Sequence, residues 1–161
     1  MKAAIIYDDF NVAIKAGATL RQSAHQSSLA IEWHISLWRA NILKFPPVAT
    51  EALMDAAEAH LIIFAGACAR PIPAWLLNWL ERWVTLRQVK DAVLAVVSAD
   101  GTGGFSLSAS SDVARFARRH GLDYISDTGV ASGDVLEFLT APLIGPELAV
   151  PAGAYRGWNI N

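Results

Sequence analysis

Residues 59–66 read Ala-His-Leu-Ile-Ile-Phe-Ala-Gly, and residues 70–83 read Arg-Pro-Ile-Pro-Ala-Trp-Leu-Leu-Asn-Trp-Leu-Glu-Arg-Trp. The first stretch predicts a buried strand, because it is a short, unbroken apolar run. The second predicts an amphipathic helix that begins at Pro71 or Pro73, since a proline is well tolerated in the first turn of a helix. Ligands of open α/β sheets bind where such strands end and their helices begin. This unit therefore predicts both a fold class and the position of a site.

The same alternation of strand and helix recurs along the chain. Strands are predicted at 2–7, 31–40, 61–65, 92–98 and 123–126, and helices at 11–27, 50–59, 71–88, 110–120 and 133–140. Such alternation indicates a parallel sheet with right-handed crossovers. We therefore predict a single α/β domain over residues 1–161, with a five-stranded parallel sheet in the order 2-1-3-4-5. Helices should cover both faces of the sheet and bury Ile5, Ile63 and Val96, and residues 142–161 should form an irregular C-terminal arm.

Helix boundaries are predicted from capping residues and chain breakers. Asn11 and Thr50 are expected to cap the first two helices, with Pro46-Pro47 breaking the chain before the second. Ser110 or Ser111 should cap the fourth helix, and Gly121 should end it.

The apolar content predicts burial beyond that of an average domain. Apolar residues make up 53% of the chain and charged residues 17%, against about 45–50% and about 25% in typical domains. The tryptophans at 75, 79 and 83 lie every four residues on the third helix, which fits either core packing or a subunit contact. We expect a homodimer that uses this helix or the C-terminal arm, where Tyr155 and Trp158 need burial.

Charge and chain pattern exclude several classes of partner. The net charge is −2 with no basic stripe, so nucleic-acid binding is not expected. The longest apolar runs, 61–69 and 92–97, are much shorter than the ~20 residues that span a bilayer, so no membrane partner is expected. The start at Met1-Lys2 lacks a signal-peptide pattern, and a single cysteine forms no internal disulfide. Together these features predict a cytoplasmic protein.

Two loops resemble those of the flavodoxin-like superfamily, particularly its NADPH-dependent FMN reductases and related quinone reductases. The first is the small-residue loop and proline pair at 66–73, and the second is the glycine-rich segment at 98–104. The resemblance covers the element order from residue 2 to 126. It implies a three-layer flavodoxin-like sandwich and an FMN-dependent NAD(P)H:quinone or flavin reductase, with FMN as cofactor and a nicotinamide or quinone as the small-molecule partner.

The resemblance also implies where such a ligand would bind. Backbone amides of the two loops would hold the flavin ring, since chain without side chains can approach a planar ligand closely. A structural role for these glycines, as turn residues, is an equal alternative. The implied binding positions are Asp9, Phe10, Asn11, Val12, Gly66, Ala67, Cys68, Ala69, Arg70, Pro71, Ser98, Asp100, Gly101, Gly103 and Gly104. No residue is assigned a catalytic role.

The loop after the first strand departs from that family. FMN reductases and flavodoxins have hydroxyl-rich or glycine-containing loops here that cradle the FMN phosphate at a helix N-terminus. This chain has Asp8-Asp9 instead. Like charges ~4 Å apart cost about 4 kcal/mol at an effective dielectric of ~20. The alternative prediction is therefore a flavodoxin-like binding or interaction module that has lost flavin binding and has no catalytic activity.

The acidic pair also resembles that of response-regulator receiver domains, which hold a magnesium ion there. Receiver chemistry requires an aspartate after the third strand and a lysine after the fourth, whereas this chain has Ala65-Gly66 and Ser98-Ala99. A divalent cation at Asp8 and Asp9 is an open alternative, but adjacent carboxylates diverge on an extended backbone and form a poor chelate, so we assign no metal site. Asp9 is interpreted instead as a cap of the first helix. Cys68 is expected to be a buried, unreactive thiol.

Overall fold

In a computed structural model, which describes residues 1–26, 31–99, 105–107 and 110–125, five strands run parallel in one sheet. The parallel strands are β1 Lys2–Tyr7, β2 His34–Arg39, β3 Leu61–Ala65, β4 Val93–Ala99 and β6 Asp123–Ile125. They lie in the order β2-β1-β3-β4-β6. This confirms the predicted order, in which β6 is the fifth parallel strand.

One short strand was not expected. β5, Phe105–Leu107, pairs antiparallel with the end of β4, with Val97 opposite Leu107 and Ala99 opposite Phe105. It occupies the same edge of β4 as β6, which pairs with the first half of that strand. β4 therefore changes neighbours along its length, and its last residues are held in a hairpin beside the carboxyl edge of the sheet.

Four helices are described, and they cover both faces of the sheet. They are α1 Phe10–Gln26, α2 Pro46–Ala56, α3 Ala74–Leu86 and α4 Ser111–Arg119. One core joins alternate strand residues such as Ile5 and Ile63 to α1, and the other joins Ile6 and Val96 to α2, α3 and α4. The central strands are buried on both faces, as the prediction for Ile5, Ile63 and Val96 requires. The result is the predicted three-layer flavodoxin-like sandwich.

The start of α2 corrects the predicted helix boundary. The helix begins at Pro46, with Phe45 as its N-cap and no side-chain capping hydrogen bond. Thr50 lies inside the helix, where its hydroxyl donates to the Pro46 carbonyl at 2.9 Å. The proline pair therefore begins the helix instead of breaking the chain, because a missing N–H in the first turn leaves no intrahelical bond unmade. A short 3₁₀ turn, Ala40–Lys44, connects β2 to this start.

Several other boundaries agree with the sequence. Ser110 caps α4 by accepting a hydrogen bond from the Val113 N–H at 3.4 Å, and Gly121 follows the helix with φ +61°. The predicted helix at 133–140 and the arm at 142–161 lie outside the described residues.

The tryptophans of α3 are core residues. Trp79 and Trp83 are buried, and their indole N–H groups donate to the Ala49 and Ala56 carbonyls of α2 at 3.1 and 2.8 Å. These bonds join α3 to α2, so the side chains of Trp79 and Trp83 are not available for a subunit contact. Trp75 packs against the same core with partial exposure.

A polar cluster joins β1, β2 and α2. Lys2 Nζ lies 2.9 Å from Asp55 Oδ1, and Trp38 Nε1 donates to Asp55 Oδ2 at 2.8 Å. Burial alone would raise the pKa of the Asp55 carboxyl, but hydrogen bonds from Ser36, Trp38 and Lys2 together hold that pKa below its ordinary value. The cluster therefore stabilises the fold whenever Asp55 is ionised.

We predict that Asp55→Asn lowers the free energy of unfolding at pH 7 by about 0.5–1 kcal/mol, the scale of a partly exposed ion pair. Because the folded pKa is lowered, the stabilisation is present above the unfolded pKa and is lost as pH falls through the folded one. Urea unfolding at pH 7 should separate the two proteins, and their stabilities should converge at pH values well below 3.8. Glu51→Gln, on the exposed side of α2, is the matched control. It should leave the free energy of unfolding unchanged at pH 7 and at low pH.

Candidate functional site

Asp9 caps the first helix at the carboxyl edge of the sheet. Its Oδ1 accepts hydrogen bonds from the Asn11 N–H at 2.9 Å and the Val12 N–H at 3.3 Å. This confirms the interpretation of Asp9 as a cap. The alternative cap, Asn11, was wrong: it lies within the first turn of α1, and its N–H is one of the two groups that Asp9 satisfies.

Asp8 joins the loop after β1 to the loop after β3. Its N–H donates to the Ala65 carbonyl at 3.2 Å, and its Oδ1 accepts from the Ala67 N–H at 3.0 Å. Between these two residues lies Gly66, with φ +102°. A β-carbon on Gly66 would overlap Asp8 Oδ1 and lie 3.2 Å from the β-carbon of Asp9. Only glycine allows this approach of the two loops.

A cavity of about 450 Å³ lies between the ends of β1, β3 and β4. Its lining residues are Asp8, Asp9, Val12, Gly66, Ala67, Arg70, Ser98 and Ala99. Six of the predicted binding positions therefore come together in one place. Two lining residues, Asp8 and Ala99, were not among those positions. Ala99 lies within the predicted loop at 98–104, but an alanine carries no chemical signal in a sequence, and β4 extends to this residue, one beyond its predicted end.

Other predicted binding positions lie beside the cavity and do not line it. Phe10 and Asn11 are exposed on the first turn of α1, Ala69 is buried, and Pro71 is exposed after a cis peptide bond with Arg70. Asp100, Gly101, Gly103 and Gly104 lie outside the described residues.

Cys68 turns inward, towards β1, and does not line the cavity. Its side chain is half-buried, and its thiol donates to the Ile6 carbonyl with a sulfur–oxygen distance of 3.6 Å. Burial, helped by the nearby negative charge of Asp8, raises the pKa of the Cys68 thiol to about 12. A raised pKa disfavours the reactive thiolate form. This agrees with the expectation of an unreactive side chain, which stays a prediction.

The loop after β3 is also fixed from its far side. The buried Ser110 hydroxyl donates to the Ala69 carbonyl at 2.9 Å, and the Tyr124 hydroxyl accepts from the Ser110 N–H at 2.9 Å. Residues of α4 and β6 thus hold the chain that leads to Arg70. The wall of the cavity formed by Gly66, Ala67 and Arg70 is consequently tied at both ends.

The electrostatic character of the site follows from these contacts. Two carboxylates and one guanidinium line the cavity. Three backbone N–H groups that could bind an anion already donate to the carboxylates of Asp8 and Asp9. Within the described residues, no group of three or more His, Cys, Asp or Glu side chains is arranged to hold a metal ion.

Comparisons with known proteins give no identification. No family model, no curated protein and no solved structure matches this chain. Among the helices that the structure describes, none is both long and apolar enough to span a lipid bilayer.

We predict opposite effects for the same substitution at two glycines. Gly66→Ala should lower the free energy of unfolding by about 1–3 kcal/mol, because the alanine is strained at this φ and clashes with Asp8. Gly17→Ala should raise it by about 0.5–1 kcal/mol, because Gly17 lies inside α1. The added methyl at Gly17 would lie 3.8 Å from the Cδ1 atoms of Ile5 and Ile35, an ordinary contact. Chemical denaturation of both variants beside the wild type measures the difference, and equal effects would contradict the proposed loop contact.

Proposed function

We propose that this chain is a flavodoxin-like binding module whose carboxyl-edge cavity takes a neutral or cationic small molecule and does not hold a phosphate-bearing flavin. The observation that supports this proposal is the use of the local backbone N–H groups. Asp9 accepts from Asn11 and Val12, and Asp8 accepts from Ala67. The protein's own carboxylates take the positions that an anionic ligand needs.

A phosphate does not fit these residues. The N-terminus of a helix binds anions because its first N–H groups have no intrahelical partner. At α1 the Asp9 carboxylate already accepts two of these groups, so a phosphate would have to displace it. A displaced carboxylate still lies nearby, and two like charges ~4 Å apart cost about 4 kcal/mol at an effective dielectric of ~20. Arg70, the lining cation, is exposed, and its charge is screened by water.

The cavity has the size of a small-molecule site. Its volume of about 450 Å³ is within the ~300–1,000 Å³ of typical ligand pockets. Carboxylates on one wall favour a ligand that presents N–H or O–H donors or a positive charge. Ala67 and Ala99, which are exposed, supply the apolar surface against which the body of such a ligand can pack.

A second candidate is an FMN-dependent NAD(P)H:quinone or flavin reductase, and the position of the loops favours it. Gly66 and Ala67 line the cavity from the loop after β3, and Ser98 lines it from the end of β4. These are the two segments that would hold a flavin ring. In that case the flavin would supply the redox chemistry, and the chain would bind and orient it. This candidate requires the phosphate to lie away from Asp8 and Asp9.

We predict that the wild type binds FMN weakly or not at all, and that Asp9→Ser binds it more tightly. Serine keeps the capping hydrogen bond of α1 and removes a negative charge. Fluorescence titration with FMN measures both affinities, and riboflavin, which has the ring without the phosphate, separates ring binding from phosphate binding. Asp91→Ser, an exposed acid that precedes β4 at the opposite edge of the sheet, is the matched control.

Three results would decide between the candidates. Tight FMN binding by the wild type contradicts the module and supports the reductase. Binding that improves for Asp9→Ser with FMN but not with riboflavin supports the phosphate argument. No binding of either flavin by any variant rules out the reductase and leaves the module.

We also propose that the chain forms a homodimer and that it is located in the cytoplasm. The high apolar content supports the homodimer, and the single cysteine supports the location. Trp79 and Trp83 of α3 are used in the core, so α3 offers less contact surface than its sequence predicts. The contribution of the C-terminal arm, with Tyr155 and Trp158, lies outside the described residues and stays a prediction.

A further inference from the structure

A second, smaller pocket lies between α4 and the amino end of α3. Its volume is about 270 Å³, slightly below the ~300–1,000 Å³ of typical ligand pockets. We call it the α3–α4 pocket, and its lining residues are Ile72, Leu77, Asp112, Arg115, Phe116 and Arg119. It shares no lining residue with the cavity at the carboxyl edge of the sheet. It is therefore a separate candidate site.

The helical spacing of α4 brings its four lining residues to one side. They are Asp112 and the residues three, four and seven positions after it, which lie above one another on a helix. Phe116 is 3% exposed, and Ile72 and Leu77 are partly buried against the same core. The pocket therefore has an apolar floor, and the exposed guanidinium groups of α4 form its rim.

Arg119 is held at this rim by three neighbours. Its guanidinium carbon lies 5.6 Å from the centroid of the Phe116 ring. Its Nη2 donates to the carboxylate of Glu81 on α3, and its Nε donates to His120 Nε2 at 3.2 Å. The remaining nitrogen, Nη1, has no hydrogen-bond acceptor among the described residues. A side chain that is already oriented and keeps a free donor loses little conformational freedom when it binds a ligand.

Arg115 has no hydrogen-bond acceptor in the part of the chain that the structure describes. Its ion pair with Asp112 spans 3.7 Å between Nη1 and Oδ1, which is too long for a hydrogen bond. A guanidinium presents its N–H donors in a planar fork that fits a carboxylate or a phosphate. Two arginines and one aspartate give the pocket a net positive charge, although the whole chain carries −2.

We propose that the α3–α4 pocket binds a small amphipathic anion, in which an aromatic or branched apolar group carries a carboxylate or a phosphate. The apolar group packs on Ile72, Leu77 and Phe116. The anionic group accepts charge-assisted hydrogen bonds from Arg115 and Arg119 at the rim. The small volume favours such a molecule over a helix or strand of a partner chain.

The test uses naphthalene-1-acetate and 1-naphthyl phosphate as probes, with naphthalene-1-acetamide as the neutral ligand of matched shape. Calorimetric titration of the full chain should give saturable binding of at least one anion, with a dissociation constant of about 1 mM or below. The amide should bind at least about fivefold more weakly, since it lacks the charge. The anion that binds more tightly identifies the anionic group.

The position of the bound probe is read from ¹H–¹⁵N spectra of the same titration. The amide resonances of Leu77 and Phe116 should shift, because both residues line the pocket. The resonances of Asn11 and Ala67, beside the cavity at the carboxyl edge, should not shift.

Two substitutions on α4 should change the affinity for the anion in opposite directions. Arg115→Gln should raise the dissociation constant about fivefold, the upper end of what an exposed charge pair contributes. Asp112→Asn should lower it about twofold, because it removes a like charge and the carboxylate that competes for Arg115. Arg118→Gln, exposed on the same helix but not lining the pocket, is the matched control and should bind as the wild type does.

Three results overturn this proposal: no saturable binding of either anion, equal binding of the amide, and an effect of Arg115→Gln no larger than that of Arg118→Gln. Shifts confined to Asn11 and Ala67 would also overturn it and assign the binding to the other cavity. A wild type that binds neither anion, but whose self-association in sedimentation equilibrium weakens with Arg115→Gln, would assign the pocket to a second copy of the chain. The proposal does not rest on the function proposed for the carboxyl-edge cavity, so either can fail without the other.

Discussion

The contact between the loops after β1 and β3 is the constraint on which the site depends. Asp8 accepts the Ala67 N–H at 3.0 Å, and Gly66 has no side chain to keep the loops apart. This contact fixes the Asp8 carboxylate over the carboxyl edge of the sheet, beside the carboxylate with which Asp9 caps α1. The same geometry that stabilises the two loops therefore places two carboxylates on the wall of the cavity.

The core explains why the loops meet so closely. β1 and β3 are hydrogen-bonded neighbours, and their last residues, Tyr7 and Ala65, lie opposite each other. The loops that follow the two strands therefore begin side by side at the carboxyl edge of the sheet. Buried side chains on both faces prevent either strand from shifting its register, since a shift of one residue would turn apolar side chains to the wrong face. The Ser110 hydroxyl then holds Ala69 from the α4 side. Packing far from the cavity thereby determines the positions of Asp8 and Gly66.

Much of this architecture could be predicted from the sequence, because its central strands are unbroken apolar runs whose character does not depend on their neighbours. The misjudged elements depend on context. Pro46 begins α2 and disfavours a helical backbone at Phe45, which is extended. β5 is only three residues long, Phe105–Leu107, so it has no periodicity to detect. At the site, Gly66 and Asp9 were predictable from their residue types. The hydrogen bond from Ala67 to Asp8 joins residues 59 apart in the chain, and no local pattern encodes it.

The most direct test of the central claim follows the amide groups themselves. In ¹H–¹⁵N spectra of the full chain titrated with inorganic phosphate, the account predicts that the resonances of Asn11, Val12 and Ala67 do not move in the wild type. They should move in a protein that carries Asp8→Ser and Asp9→Ser, in which the carboxylates no longer compete for the N–H groups. Saturable shifts of these three resonances in the wild type would contradict the account, because they would show that the helix N-terminus and the loop after β3 still accept an external anion.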